Sequence, residues 1–193
     1  MSEPRIPPLA PAEWPPAMRD ALAALRPAEP RHPFPERGGD RPRGLNVLGT
    51  LAHHPALTRA YHTFNGHVLF ATTLSERQRE LLVLRVAAVR GSEYEWLQHV
   101  VLGRDVGLDG DDMARIAAGP GAEGWAALDA ALVRAVDELL ADAFIADDTW
   151  AALAAELDER QLMDLVFTVG AYDALAMALR SFRVPLDDDL RRE

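Results

Sequence analysis

Four residues in one stretch carry groups able to move protons. Glu80, Ser92, Glu95 and His99 follow one another as Glu-x11-Ser-x2-Glu-x3-His. On a helix, Glu95 and His99 share a face because they stand four residues apart, and Ser92 sits one turn upstream on the same side. A carboxylate beside an imidazole sets the ring's tautomer and raises its basicity, the minimal equipment for proton transfer near neutral pH. The spacing predicts an acid–base site in which His99 relays a proton, Glu95 orients it, and Glu80 shares the proton or stabilises the imidazolium. Ser92-Glu-Tyr-Glu95 is also a plain capping box, with Ser92 accepting from the third helical N–H and Glu95 reaching back. Spacing alone leaves both readings open. Ser92, Tyr94 and Trp96 are candidate substrate contacts; Tyr94 could offer its hydroxyl to a carbonyl oxygen, and Trp96 also suits core or subunit packing.

Composition removes other chemistries. The 193 residues include no cysteine and no lysine, so no thiolate nucleophile, Cys-ligated metal, redox pair or Schiff base is available. His53, His54, His62 and His67 invite a metal reading, but no pair has His-x3-His spacing, and His53 and His54 cannot share a helix face. No metal and no cofactor are expected. His53 and Arg180 remain candidates for substrate contact, Arg180 as a guanidinium clamp on a carboxylate or as a cation completing a helix C-terminus. Thirty acidic against 20 basic residues, a net charge of −10, disfavours nucleic acid. No stretch has about 18 uncharged apolar residues, and the start lacks a secretory apolar core, so a cytoplasmic protein without a membrane span is expected.

The Glu80-x11-Ser92-x2-Glu95-x3-His99 spacing resembles the alkylhydroperoxidase D-type motif, with serine and glutamate where the peroxidases have two cysteines. The block from Asn46 to Ala118 looks like the carboxymuconolactone decarboxylase superfamily. Its decarboxylase branch lacks the cysteine pair and carries a glutamate four residues before the histidine, as Glu95 and His99 do here. The resemblance implies an all-α, alkylhydroperoxidase D-like helical bundle, a trimer or hexamer, and a cofactor-free lyase or isomerase acting on a small organic acid or lactone. The missing cysteines exclude a thiol peroxidase. A non-catalytic, oligomeric small-molecule-binding protein on the same scaffold is the rival reading.

These groups need helices to hold them. Eleven of the 14 prolines fall in the first 42 residues, so residues 1–45 read as a proline-rich arm with one short helix, Ala17 to Leu25. An all-helical domain is expected over 46–185 and a charged tail over 186–193. The helices read as Asn46–His53, Pro55–Ala71, Glu76–Arg90, Glu93–Val106, Gly110–Ala118, Gly124–Ala141, Asp148–Leu157 and Glu159–Phe182. Glu76–Arg90 has almost no polar face after its first turn and should be central, with partners for Glu80 and Arg85. Ser75/Gln78 and Asp158/Gln161 have capping-box spacing.

Overall fold

Every regular element among the described residues is helical, as alanine- and leucine-rich segments with few β-branched runs require. A computed structural model describes residues 3–34 and 42–192. Part of the expected arm, 35–41, and the chain ends at 1–2 and 193 lie outside the described residues. The chain divides into two compact units, Met1–Thr72 with Met177–Glu193 and Thr73–Ala176.

In the first unit, α1 (Met18–Ala23) follows Pro15-Pro16, and α2 (Leu45–Leu51) leads into α3 (Pro55–Gly66). Met18, Ala21 and Ala52 form a small core closed by Leu9, Trp14, Leu22 and Leu48. The arm is strapped down by backbone bonds. Arg5 N–H donates to the carbonyl of Phe182 at 2.8 Å, and Leu9 N–H donates to that of Gly49 at 3.1 Å. A Cβ on Gly49 would lie 2.4 Å from the Leu9 carbonyl oxygen, so only glycine lets the arm approach α2 this closely. The segment expected as one helix over Pro55–Ala71 changes winding at His67 and continues as a π-turn to Ala71. Thr72 N–H reaches the His67 carbonyl, while the Phe70 carbonyl accepts from Arg31 and His32 of the arm. The arm thus takes an acceptor that a continuing helix would use.

The second unit is built on α4 (Glu76–Arg90). Leu81, Leu82, Val83, Leu84, Val86 and Ala87 are all buried, and α4 packs against α5 (Glu93–Asp105), α6 (Gly110–Ala118) and α7 (Ala127–Asp142). The short α8 (Asp147–Ala154) packs on α7. The last long helix, α9 (Glu159–Phe182), belongs to this unit as far as Ala176. The capping boxes at Ser75/Gln78 and Asp158/Gln161 form as the spacing requires. Arg85 has its expected partner: Nε and Nη2 bond to Asp137 at 2.6 and 2.8 Å, and Nη1 bonds to the Ile116 carbonyl at the end of α6 at 2.9 Å. Helix α7 starts three residues later than the sequence suggests, because Gly124 adopts φ +85 and Trp125 bonds back to the Gly119 carbonyl.

Helix α9 is long and apolar enough to cross a membrane, with a mean hydropathy of 1.6 over its best window. Its two acids inside that apolar run are satisfied within the protein. Asp164 accepts from the N–H and hydroxyl of Thr73, both at 2.6 Å, and Asp173 pairs with Arg90.

Candidate functional site

The site lies within the second unit, on three helices. Helix α4 supplies Glu80 from the middle of its buried run, and it stops at Gly91, whose φ of +59 completes a left-handed C-cap. That elbow starts α5 immediately, so Ser92, Glu95 and His99 follow within two turns. From α9, Tyr172 sets its ring edge-on to His99 with centroids 5.0 Å apart.

Glu80 is fully buried, and its carboxylate is held from two sides. Oε2 lies 2.7 Å from His99 Nδ1, and Oε1 accepts from Arg79 Nε and Nη2 at 3.2 and 3.1 Å. Burial pushes this carboxyl up, but the charge and hydrogen bond of His99, followed by those of Arg79, outweigh it and hold Glu80 below the ordinary range. An ionised carboxylate only accepts, so Nδ1 of His99 donates to it, and in the neutral ring Nε2 is the basic nitrogen.

Glu95 behaves in the opposite way. It is 2% exposed, and neither of its carboxyl oxygens has a hydrogen-bond partner. Burial pushes it up to about 8; the Ser92 hydroxyl offsets a part, and the charge of Asp173 adds to the rise. The Ser92 effect is one of proximity, since its hydroxyl is itself buried without a hydrogen bond. At neutral pH Glu95 therefore carries its proton. Two buried carboxyls with opposite shifts, Glu80 bonded to the His99 ring and Glu95 one turn before it on α5, supply with that ring a counter-charge, an acid and a base.

This geometry revises one sequence expectation and decides between two readings that spacing left open. Glu95 does not orient His99: Glu80, from the neighbouring helix, holds the ring's Nδ1, and neither Glu95 oxygen has a hydrogen-bond partner. Nor do Ser92 and Glu95 form a capping box, since the Ser92 side chain makes no cap. Ser75 enters α4 with extended backbone at ψ 155, whereas Ser92 follows directly on the left-handed Gly91 and sits at ψ 86, so its hydroxyl is not aimed at the helix N–H groups.

Other sequence candidates fall differently. Tyr94 is buried and Trp96 half-buried on α5. His53 and Arg180 belong to the first unit, and both are exposed; His53 Nε2 lies 2.9 Å from the Pro7 carbonyl. His54 Nδ1 caps α3 by accepting from Leu57 N–H, and His62 Nδ1 lies 2.9 Å from the Ala21 carbonyl. These histidines hold loops and caps in place. Arg79 and Tyr172 were absent from the sequence-derived site. Arg79 was legible only as the neighbour of Glu80, and Tyr172 comes from a helix more than 70 residues downstream of His99.

Residues 55–138 match the model of the carboxymuconolactone decarboxylase family. No curated protein matches the chain. Solved structures share the fold at low identity. A protein of unknown function from Agrobacterium tumefaciens, described as a putative antioxidant defence protein AhpD, is 19% identical with a TM-score of 0.66 over 71% of this chain and 94% of its own. An uncharacterized peroxidase-related protein from Ralstonia eutropha, described as an alkylhydroperoxidase AhpD core, is 17% identical with a TM-score of 0.68 over 83% and 94%. The debrominase Bmp8, as a cysteine-to-alanine variant in complex with 2,3,4-tribromopyrrole, is 12% identical with a TM-score of 0.70 over 96% and 93%.

Proposed function

We infer, for a chain whose residues 55–138 match the carboxymuconolactone decarboxylase family model and whose fold is AhpD-like, that it is a cofactor-free acid–base lyase or isomerase acting on a small organic acid or lactone. The observation that carries this reading is the 2.7 Å contact between His99 Nδ1 and the ionised Glu80, with Glu95, which keeps its proton, one turn before His99 on α5. Glu80 orients the ring and stabilises the imidazolium, and His99 Nε2 is the base. Glu95 is the acid that hydrogen-bonds a carbonyl oxygen as negative charge develops there.

In a decarboxylation the bond to the carboxylate breaks, carbon dioxide leaves, and the electron pair moves into the adjacent carbonyl to give an enolate held by Glu95. Protonation at carbon completes the step, with one proton consumed overall. In an isomerisation Nε2 removes a proton beside the carbonyl and returns it at another carbon. Ser92, with its buried unpartnered hydroxyl, is the substrate contact best supported; Tyr94 and Trp96 line the same helix turn. Thiol peroxidase chemistry has no thiol to work with. A binding protein in which Ser92 and Glu95 serve only to cap α5 is disfavoured, because that cap is not made.

The reading includes self-association and a cytoplasmic location. Met163, Phe167, Gly170, Ala174 and Met177 form an exposed, uncharged line on α9 at alternating spacings of four and three, the pattern of a helix seam against a second copy. A panel of β-keto acids and unsaturated lactones, followed by carbon dioxide release and by proton NMR in D2O, tests the reaction class. Turnover or deuterium incorporation above the protein-free rate is expected. Neither on any member, together with a saturable dissociation constant for one of them, would replace the enzyme with the binding protein.

A further inference from the structure

Arg79 stands beside the chemistry above without a part in it. Its side chain is buried, and its Nε and Nη2 converge on one oxygen of Glu80, Oε1, at 3.2 and 3.1 Å. The other oxygen, Oε2, is left to His99 Nδ1 at 2.7 Å. A carboxylate pinned at one end by a guanidinium has its orientation fixed as well as its charge matched. Two adjacent residues of α4 and one of α5 thus form a bonded row, Arg79, Glu80 and His99.

The row bears on a choice that a Glu80–His99 contact by itself leaves open. When Nε2 of the ring takes a proton, the proton already on Nδ1 can stay, giving an imidazolium against a carboxylate, or cross the 2.7 Å bond, giving a neutral ring against a carboxylic acid. Glu80 is fully buried, and burial favours the crossing because it removes two charges at once. Arg79 reverses the balance: a neutral Glu80 would strip a buried guanidinium of the carboxylate it is bonded to and replace charge-assisted hydrogen bonds with weaker ones. We propose that Arg79 is a positioning residue of this site, which keeps Glu80 a carboxylate through the proton transfer, so that His99 ends as an imidazolium and Glu80 is its counter-charge, not a second proton carrier. The proposal rests on the acid–base reading only for the statement that the ring takes a proton from substrate. The lowered Glu80 carboxyl agrees with it: burial raises it, and His99 and then Arg79 bring it down. Other charged and titratable groups come from each helix packed here. Glu76 Oε1 of α4 lies 4.0 Å from Arg79 Nη2. Glu95 stands one turn before His99 on α5, and Tyr172 of α9 stands edge-on to the ring. Asp112 of α6 pairs with Arg115, Asp129 of α7 with Arg77, and Asp137 of α7 with Arg85.

Carboxyl 13C and imidazole 15N NMR of the full chain, labelled in glutamate and histidine, reads this without any substrate, with Glu80→Gln and His99→Gln identifying the signals. In the wild type the neutral ring should carry its proton on Nδ1, and on acidification both ring nitrogens should become protonated while the Glu80 carbon stays at its carboxylate position. Arg79→Gln should raise the Glu80 midpoint by about one to three pH units. Arg79→Lys, which keeps the charge and loses the fork, should fall between the two. If Arg79 only covered Glu80, its removal would admit water and lower the midpoint or leave it unmoved, and either result would overturn the proposal. So would an Arg79→Lys midpoint as high as that of Arg79→Gln. A wild-type Glu80 that takes its proton in the same pH range as the ring would also overturn it, and that measurement needs neither variant to fold. Because no turnover is measured, the expected shifts in a protein inactive on every substrate tested would remove the lyase reading and leave the role of Arg79 standing.

Discussion

At the scale of a single residue, Glu95 ties stability to pH. Its folded value is about 8 against an ordinary 4.5, so between those values the folded protein holds a proton that the unfolded chain releases. Stability should then fall as pH rises from about 4.5 to about 8 and level off beyond, by an amount on the order of a few kcal/mol. Urea unfolding at pH 5 and pH 8.5 checks this: Glu95→Gln should lose most of the difference, and parallel losses in variant and wild type would contradict it. Glu80 works in the opposite sense. Its lowered value means that its ion pair and hydrogen bond contribute above the ordinary carboxylate range and are lost as pH falls through the folded value. Glu80→Gln should therefore cost more stability at pH 7 than at pH 4, by the same unfolding measurement.

At the scale of elements, the entries to α4 and α5 look alike in sequence and differ in structure. Ser75 is a working cap whose loss should cost about 1 kcal/mol. Ser92 caps nothing and buries an unpartnered hydroxyl, so Ser92→Ala should be close to neutral or slightly stabilising. Thermal unfolding of the two variants separates them, and an equal loss in both would restore the capping reading. The comparison shows what was legible in the residues. Helix α4 and its burial followed from an apolar run with no polar face, and the caps at Ser75 and Asp158 followed from spacing. The choice between the two readings of Ser92 depended on the φ of the preceding Gly91, which spacing does not encode. The Glu80–His99 contact joins two helices, so a pattern that counts along one helix pointed to Glu95 instead. The same holds for the break at His67, where the arm competes for the Phe70 carbonyl.

At the scale of the whole molecule, the chain is a helical protein without thiols whose fold is shared by a peroxidase-related protein and a debrominase. The uncharged line on α9 predicts a particle larger than the 21.2 kDa chain in light scattering, and Phe167→Glu should shift it toward the monomer. A monomeric wild-type protein would remove the seam. The central claim is that His99, held by Glu80, works as the base. Its most direct measurement is turnover or deuterium incorporation on a substrate found in the panel, compared between wild type and His99→Ala. The account predicts a loss of roughly 10²–10⁴-fold with the fold retained by circular dichroism. Undiminished turnover in His99→Ala would contradict it.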